Sequence, residues 1–382
     1  MSLTRLRLET KRPRMQSVPD SCMNRRHSAL IVFLALLLNI VSARAIIFYS
    51  TGDTNYNTTA PSGTLTDSGW QYEGTWGGYL GTAIAQKYFI TAHHVGGSVG
   101  QTFDFRGLRY TTVGVTNDPA SDLSLWRICG TFPEYAQIYT NTNEVGQSFV
   151  VIGRGTQRGA PVTTTNALGT VKTNGWQWQL ELYDGVIRWG ENVVTGIVDG
   201  DSLFGSGLGE LLQATFDANG GSNECHLSFG DSGGALFIKD GPVWKLAGIN
   251  YAVDGPYNTT NTGSGFEAAI FDGAGLYETD IAGIWLPASG PGSFYATRVS
   301  AHVNWINSVI NANVAADPPI LQSSTSPAGG YADEINATVV DASKTITVAL
   351  PGGSRFYRLR ACDPLTIESI QVQNGNLVLT YQ

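Results

Sequence analysis

The sequence predicts an all-β protein, with a helix late in the chain and a small β module after it. Three observations carry this expectation. Charged residues are only 14% of the chain while Gly supplies 46 of its 382 residues, and Thr, Asn, Tyr and Trp are frequent; short strands joined by turns have this composition. The runs Tyr88-Phe89-Ile90-Thr91-Ala92 and Leu123-Ser124-Leu125-Trp126 have the length and the apolar or alternating character of strands. Finally, Asn374-Gly375 is the favoured pair of a type I′ hairpin turn, which needs positive φ at both positions.

The chain opens on a signal peptide, assigned to residues 1–45. Leu30 to Leu38 is an unbroken apolar run that continues through Ile40 and Val41, preceded by Arg25-Arg26 and followed by Ala43-Arg44-Ala45. About a dozen apolar residues are too few to span a bilayer, and the small residues suit a cleavage site. The stretch before it is long for an n-region, and Met23-Asn24-Arg25-Arg26 is a more ordinary start. Cleavage after Ala45 would leave 15 basic and 29 acidic residues, a net charge near −14. That balance argues against nucleic acid or an anionic membrane as partner. A secreted or periplasmic protein is expected, not integral to a membrane once the signal is removed.

A first β unit is read from about Ile46 to Thr156 and a second to about residue 313. Within Ser300 to Asn311, Val303, Ile306 and Ile310 share one helical face and predict a helix packed on the second unit. Residues 314–330, rich in Pro, Ser, Ala and Gly, read as a linker. Residues 331–382 read as the β module, with strands at Ile346 to Leu350 and Arg355 to Cys362. It is either a further sheet docked on the two units or an attachment element for a cell-surface or sorting partner. Cys129, Cys225 and Cys362 remain after processing, so at most one disulfide forms and one thiol is left over. No metal-ligand spacing or phosphate loop is present, and no cofactor is expected.

The chemistry is concentrated in His226-Leu227-Ser228-Phe229-Gly230-Asp231-Ser232-Gly233-Gly234. A serine nucleophile needs a base to take its proton and backbone N–H groups to receive the oxyanion. Glycines around Ser232 let a substrate carbonyl approach the N–H groups of Gly230 and Ser232. Of the five histidines, His93 and His94 stand where an apolar strand runs out into a loop, the place for a base on a rigid support. Asp122 opens the next alternating strand and can hold an imidazole tautomer, with Asp118 before Pro119 as its competitor. Gly200-Asp201-Ser202-Leu203 copies the nucleophile block of another esterase and lipase class. No Asp stands three residues before any His, as that class requires, so Ser202 reads as a plain turn residue.

Taken in order, these blocks resemble the chymotrypsin-like, or trypsin-fold, serine endopeptidases. Thr91-Ala92-His93-His94 is similar to the family's Thr-Ala-Ala-His, with His93 at an alanine position; Asp122-Leu123-Ser124-Leu125 is similar to its Asp-Ile-Ala-Leu, and Gly230 to Gly234 to its nucleophile loop. Ala247 to Tyr251 resembles the strand lining the primary specificity pocket. The resemblance spans roughly Ile46 to Asn311. It implies two six-stranded barrels with the site in the cleft between them, a triad of His94, Asp122 and Ser232, an oxyanion hole at Gly230 and Ser232, and a protein or peptide substrate. It also implies that the position six before the nucleophile, here His226, lies at the base of the specificity pocket with Tyr251 nearby. Since His226 is not an acid, cleavage after Lys or Arg is not expected. Finally it implies an activation pair, in which a new N-terminus at Ile46 turns inward to Asp231. A protease-fold binding protein without activity, or an esterase using the same triad, are the alternative functions.

Overall fold

A computed structural model describes residues 46–179, 184–280, 282–312, 318–363 and 365–382. The expected signal peptide, 1–45, lies outside the described residues. The all-β class and the organisation expected for the chymotrypsin-like double-barrel fold hold, with a short helix late in the chain.

In the first half, the strands Glu73–Trp76, Tyr79–Ala85, Tyr88–Ala92, Leu123–Ile128, Leu108–Asn117 and Thr102–Phe105 close in that order into an antiparallel six-stranded barrel. Its interior is aromatic: Trp76, Phe89, Phe103, Phe105 and Trp126 are almost wholly buried. Each such side chain removes 150–250 Å² from water, which lets a small barrel bury a substantial core.

The second half is built on a seven-stranded antiparallel sheet in the order Arg188–Val193, Ser148–Gly153, Ala235–Asp240, Val243–Val253, Ser293–Arg298, Glu210–Thr215 and Gly196–Asp199. The two halves share one apolar core. Leu80, Ile90 and Leu125 of the barrel belong to the same buried cluster as Ile152, Phe237 and Ile249 of the sheet. The expected helix runs from Val303 to Ile310, and its Ile306 is fully buried in that shared cluster. A core of this kind fixes the cleft between the halves, because close-packed interiors transmit displacement instead of absorbing it.

Residues 320–382 form two further sheets, one of three and one of four strands. Asn374 and Gly375 both have positive φ (52° and 79°) at the tip of the last hairpin, as the type I′ reading requires. One boundary differs from expectation. Ile320–Ser324, inside the stretch read as linker, is the central strand of the three-stranded sheet. Proline and serine dominate the composition there, yet Leu321 is 1% exposed and anchors the module's core. The module is tied to the first barrel by the Cys129–Cys362 disulfide and by an ion pair between Lys87 Nζ and Asp363 at 2.7 Å. Among the described residues Cys225 is the free thiol, and it is buried.

Candidate active site

Strand register brings the histidine and the acid together. The Tyr88–Ala92 strand runs antiparallel to Leu123–Ile128 with Ala92 opposite Leu123, so the residues just outside that last pair meet across the ladder. The N–H of His93 donates to the Asp122 carbonyl at 2.9 Å. The chain then turns through a single 3-10 turn, His93–Val95, which carries His94 over the carboxylate. There the His94 N–H donates to Asp122 Oδ1 at 2.9 Å, and His94 Nδ1 lies 2.5 Å from Asp122 Oδ2. Asp122 is nearly buried and His94 is 39% exposed, so the acid is fixed while the far edge of the imidazole faces the cleft. His93 turns elsewhere, with its Nε2 3.2 Å from Asn117 Nδ2. The 3-10 turn is what separates the two rings.

The loop carrying Ser232 is seated against that same strand by a glycine. Gly233 has φ +76°, and a Cβ there would overlap Thr91 Oγ1 and the Leu80 carbonyl, so only glycine permits this approach. Asn250 secures the other side. Its Nδ2 donates to the carbonyls of Ile152 (2.9 Å) and Asp231 (3.0 Å), while its backbone carbonyl accepts from Gly233 N–H and its N–H donates to Gly234 O. Ser232 and His94 thereby line one cavity of about 500 Å³, together with Tyr251, Trp178 and Phe229. The rings of Tyr251 and His94 meet edge to face, 5.6 Å between centroids. Gly230 precedes this turn with φ +96°, a conformation glycine adopts without a Cβ penalty.

Asp231 is buried in a nest of donors. Its Oδ1 accepts from Gly155 N–H at 2.7 Å, and its Oδ2 accepts from the N–H and hydroxyl of Ser228 at 2.8 and 3.0 Å. The backbone N–H of Ile46 donates to it as well. Burial nevertheless pushes the carboxyl up to about 6, against the lowering effect of these donors. Ile46 is itself buried and has φ +58°, a conformation that strains a β-branched residue inside a chain. Ile47 and Phe48 then pair with His226 and Cys225.

The other named residues fall elsewhere. His226 is fully buried, with its ring edge-on to Phe216 and Phe294, and burial lowers its pKa. It is not among the residues lining the cavity; its neighbours Leu227 and Ser228 are. Asp118 lies 2.6 Å from the ring of His302 through its Oδ2, away from His94. Ser202 sits in the one-turn helix Gly200–Phe204, donating to its cap Asp199 at 2.6 Å. Trp178 and Glu267 shape the cavity without a motif in the sequence, and the Ala247 to Tyr251 block gives no sign of the bonds Asn250 makes to the serine loop. Only their three-dimensional neighbourhood marks them.

No known family profile and no curated protein matches this sequence. Among solved structures, neuropsin, a serine protease expressed in the limbic system of mouse brain, is similar with a TM-score of 0.38 and 15% identity, over 64% of this chain and 96% of that one. The passenger domain of plasmid encoded toxin, an autotransporter enterotoxin from enteroaggregative Escherichia coli, is similar with a TM-score of 0.34 and 14% identity, over 64% of this chain and 22% of that one. Both are likenesses of fold. Among the described residues no helix is long and apolar enough to cross a membrane.

Proposed function

We propose that this chain is a secreted serine endopeptidase in which Ser232 is the nucleophile, His94 the general base and Asp122 the group that orients it. The observation that supports the reading best is the doubly bonded Asp122 beside His94, with the imidazole and Ser232 lining one cavity. An acceptor at Nδ1 keeps the proton there, so Nε2 is left with a lone pair for the serine proton. Ser232 Oγ attacks the substrate carbonyl as its proton passes to Nε2, and the N–H groups of Gly230 and Ser232 receive the oxyanion. Collapse expels the amine, which takes the proton from the imidazolium. Water, deprotonated by the same nitrogen, then releases the acid and restores the serine. No cofactor is required by these steps.

Activation in this reading accompanies signal removal. A cut after Ala45 would convert the Ile46 N–H at Asp231 into an ammonium, giving the buried carboxylate a full counter-charge. It would also release Ile46 from its strained φ, because a terminal residue has no preceding carbonyl to clash with.

The test is covalent labelling. Purified mature protein is expected to react with a fluorophosphonate probe at Ser232 and to cleave peptides, and Ser232→Ala to do neither. Equal labelling of the alanine variant, or labelling that maps to Ser202, would refute the assignment. Ester hydrolysis without any peptide cleavage would point to an esterase.

A further inference from the structure

The cavity beside Ser232 holds two carboxylates of different character. Asp231 is saturated by N–H and O–H donors and belongs to the loop's own architecture. Glu267 lines the same cavity from the segment that precedes the Ala268–Ile270 strand, where its backbone carbonyl accepts from Trp178 N–H at 3.1 Å. Its carboxylate has no hydrogen-bond or ion-pair partner among the described residues. Gly255 makes room for it: a Cβ on that glycine would lie 3.2 Å from Glu267 Oε2. Leu227, Val253, Trp178 and Tyr251 give the wall its apolar and aromatic part, beside the polar Ser228 and Asn250.

We infer that Glu267 is the specificity-determining residue of this cavity and that it selects substrates carrying a lysine or arginine side chain on the acyl side of the scissile bond. The inference rests on the protease reading above and supplies its substrate class. A long cationic side chain has an apolar stem and a charged head. The lined walls accept the stem, the rings of Trp178 and Tyr251 favour a cation, and a partnerless carboxylate accepts the head through charge-assisted hydrogen bonds. A neutral aromatic or aliphatic side chain would desolvate Glu267 and return nothing, which is how a polar site rejects an apolar substrate. Burial already raises the Glu267 carboxyl from its ordinary value, the condition a counter-cation relieves. The expectation drawn from His226 is thereby reversed, because the acid arrives from a different segment.

The test uses a ligand that needs no catalysis. p-Aminobenzamidine, a cationic aromatic fluorophore, is expected to bind both the mature protein and Ser232→Ala, and to bind Glu267→Gln at least tenfold more weakly. Neutral p-aminobenzamide should not compete for the unmodified protein, which tests the charge even if the glutamine variant does not fold. Among peptides differing only at the residue before the scissile bond, Arg and Lys should exceed Phe and Leu at least tenfold in kcat/KM. Glu267→Gln should abolish that preference while Ser232 still labels with fluorophosphonate. Amidine binding that is absent, unaffected by Glu267→Gln, or matched by the neutral amide would overturn the inference. If the amidine binds through Glu267 but no peptide is cleaved and Ser232 does not label, the protease reading has failed and the cation site stands.

Discussion

His302 Nδ1 lies 2.6 Å from Asp118 Oδ2, and both side chains are almost buried. Asp118 also accepts the Ser121 hydroxyl at 2.7 Å and the Ala120 N–H at 3.1 Å. Two histidine–aspartate pairs therefore sit at one end of the first barrel, four residues apart in sequence at their acids. Asp122 orients His94 toward the cleft, whereas Asp118 fastens the residue just before the Val303–Ile310 helix to the barrel loop.

The two acids should separate under mutation. Asp118→Asn leaves buried donors poorly matched and is expected to cost about 1–3 kcal/mol, read as a lower urea midpoint, with fluorophosphonate labelling changed only a few-fold. Asp122→Asn presents the wrong donor to Nδ1 and should slow labelling and turnover by roughly 10³–10⁴-fold at nearly unchanged stability. An exchange of these outcomes would transfer the orienting role to Asp118.

For the adjacent histidines, the 3-10 turn supplies a sharp expectation. His94→Ala should abolish peptide hydrolysis, while His93→Ala removes a ring that touches Asn117 and should leave kcat/KM within about fivefold, since surface substitutions usually stay within ±0.5 kcal/mol. Loss of activity in His93→Ala with its fold intact would contradict the geometry.

Much of this arrangement was legible in the sequence because it depends on short contiguous blocks. Strand ends set His94 and Asp122 side by side, and the Gly230 to Gly234 turn advertises its own backbone. The Asn374-Gly375 hairpin was legible for the same reason. What escaped is held by contacts distant in sequence. Asn250 locks the serine loop through carbonyls of Ile152 and Asp231, and the Ala247 to Tyr251 resemblance points to a pocket strand without revealing that lock. Glu267 reaches the cavity beside Gly255, a residue on a separate segment that leaves room for its carboxylate. Ile320–Ser324 was hidden by surrounding Pro and Ser, although two apolar residues were enough to seed a strand once the module's core could cover them.

The Cys129–Cys362 bridge closes a span of 233 residues, and cross-links across long loops remove much unfolded-chain entropy. Cys362→Ser is expected to lower stability by about 2–4 kcal/mol and to accelerate proteolytic separation of the 318–382 segment. Labelling of Ser232 should continue at its normal rate, because the bridge attaches to the first barrel away from the cleft residues. A matching loss of Ser232 reactivity in folded Cys362→Ser would show that the module supports the site itself.

The Ile46 and Asp231 contact makes a prediction in which pH gives the sign. With an amide N–H at Ile46, burial raises the Asp231 carboxyl from 3.8 to about 6. Between those values the folded chain binds more protons than the unfolded one, so this group's contribution makes stability fall as pH rises through the window and level off above it. A terminal ammonium in place of the amide favours the carboxylate and lowers its pKa, which removes that loss. Protein beginning at Ile46 should therefore be more stable at pH 7.5 than protein carrying one extra residue before it, with the difference shrinking toward pH 4. The extended protein should also label more slowly at Ser232, because Asp231 and Ser232 share the loop that Gly233 seats against Thr91. Urea midpoints at both pH values and fluorophosphonate labelling rates measure both effects. Equal stability and equal labelling of the two proteins, or a mature N-terminus sequenced elsewhere than at Ile46, would rule out activation through this pair.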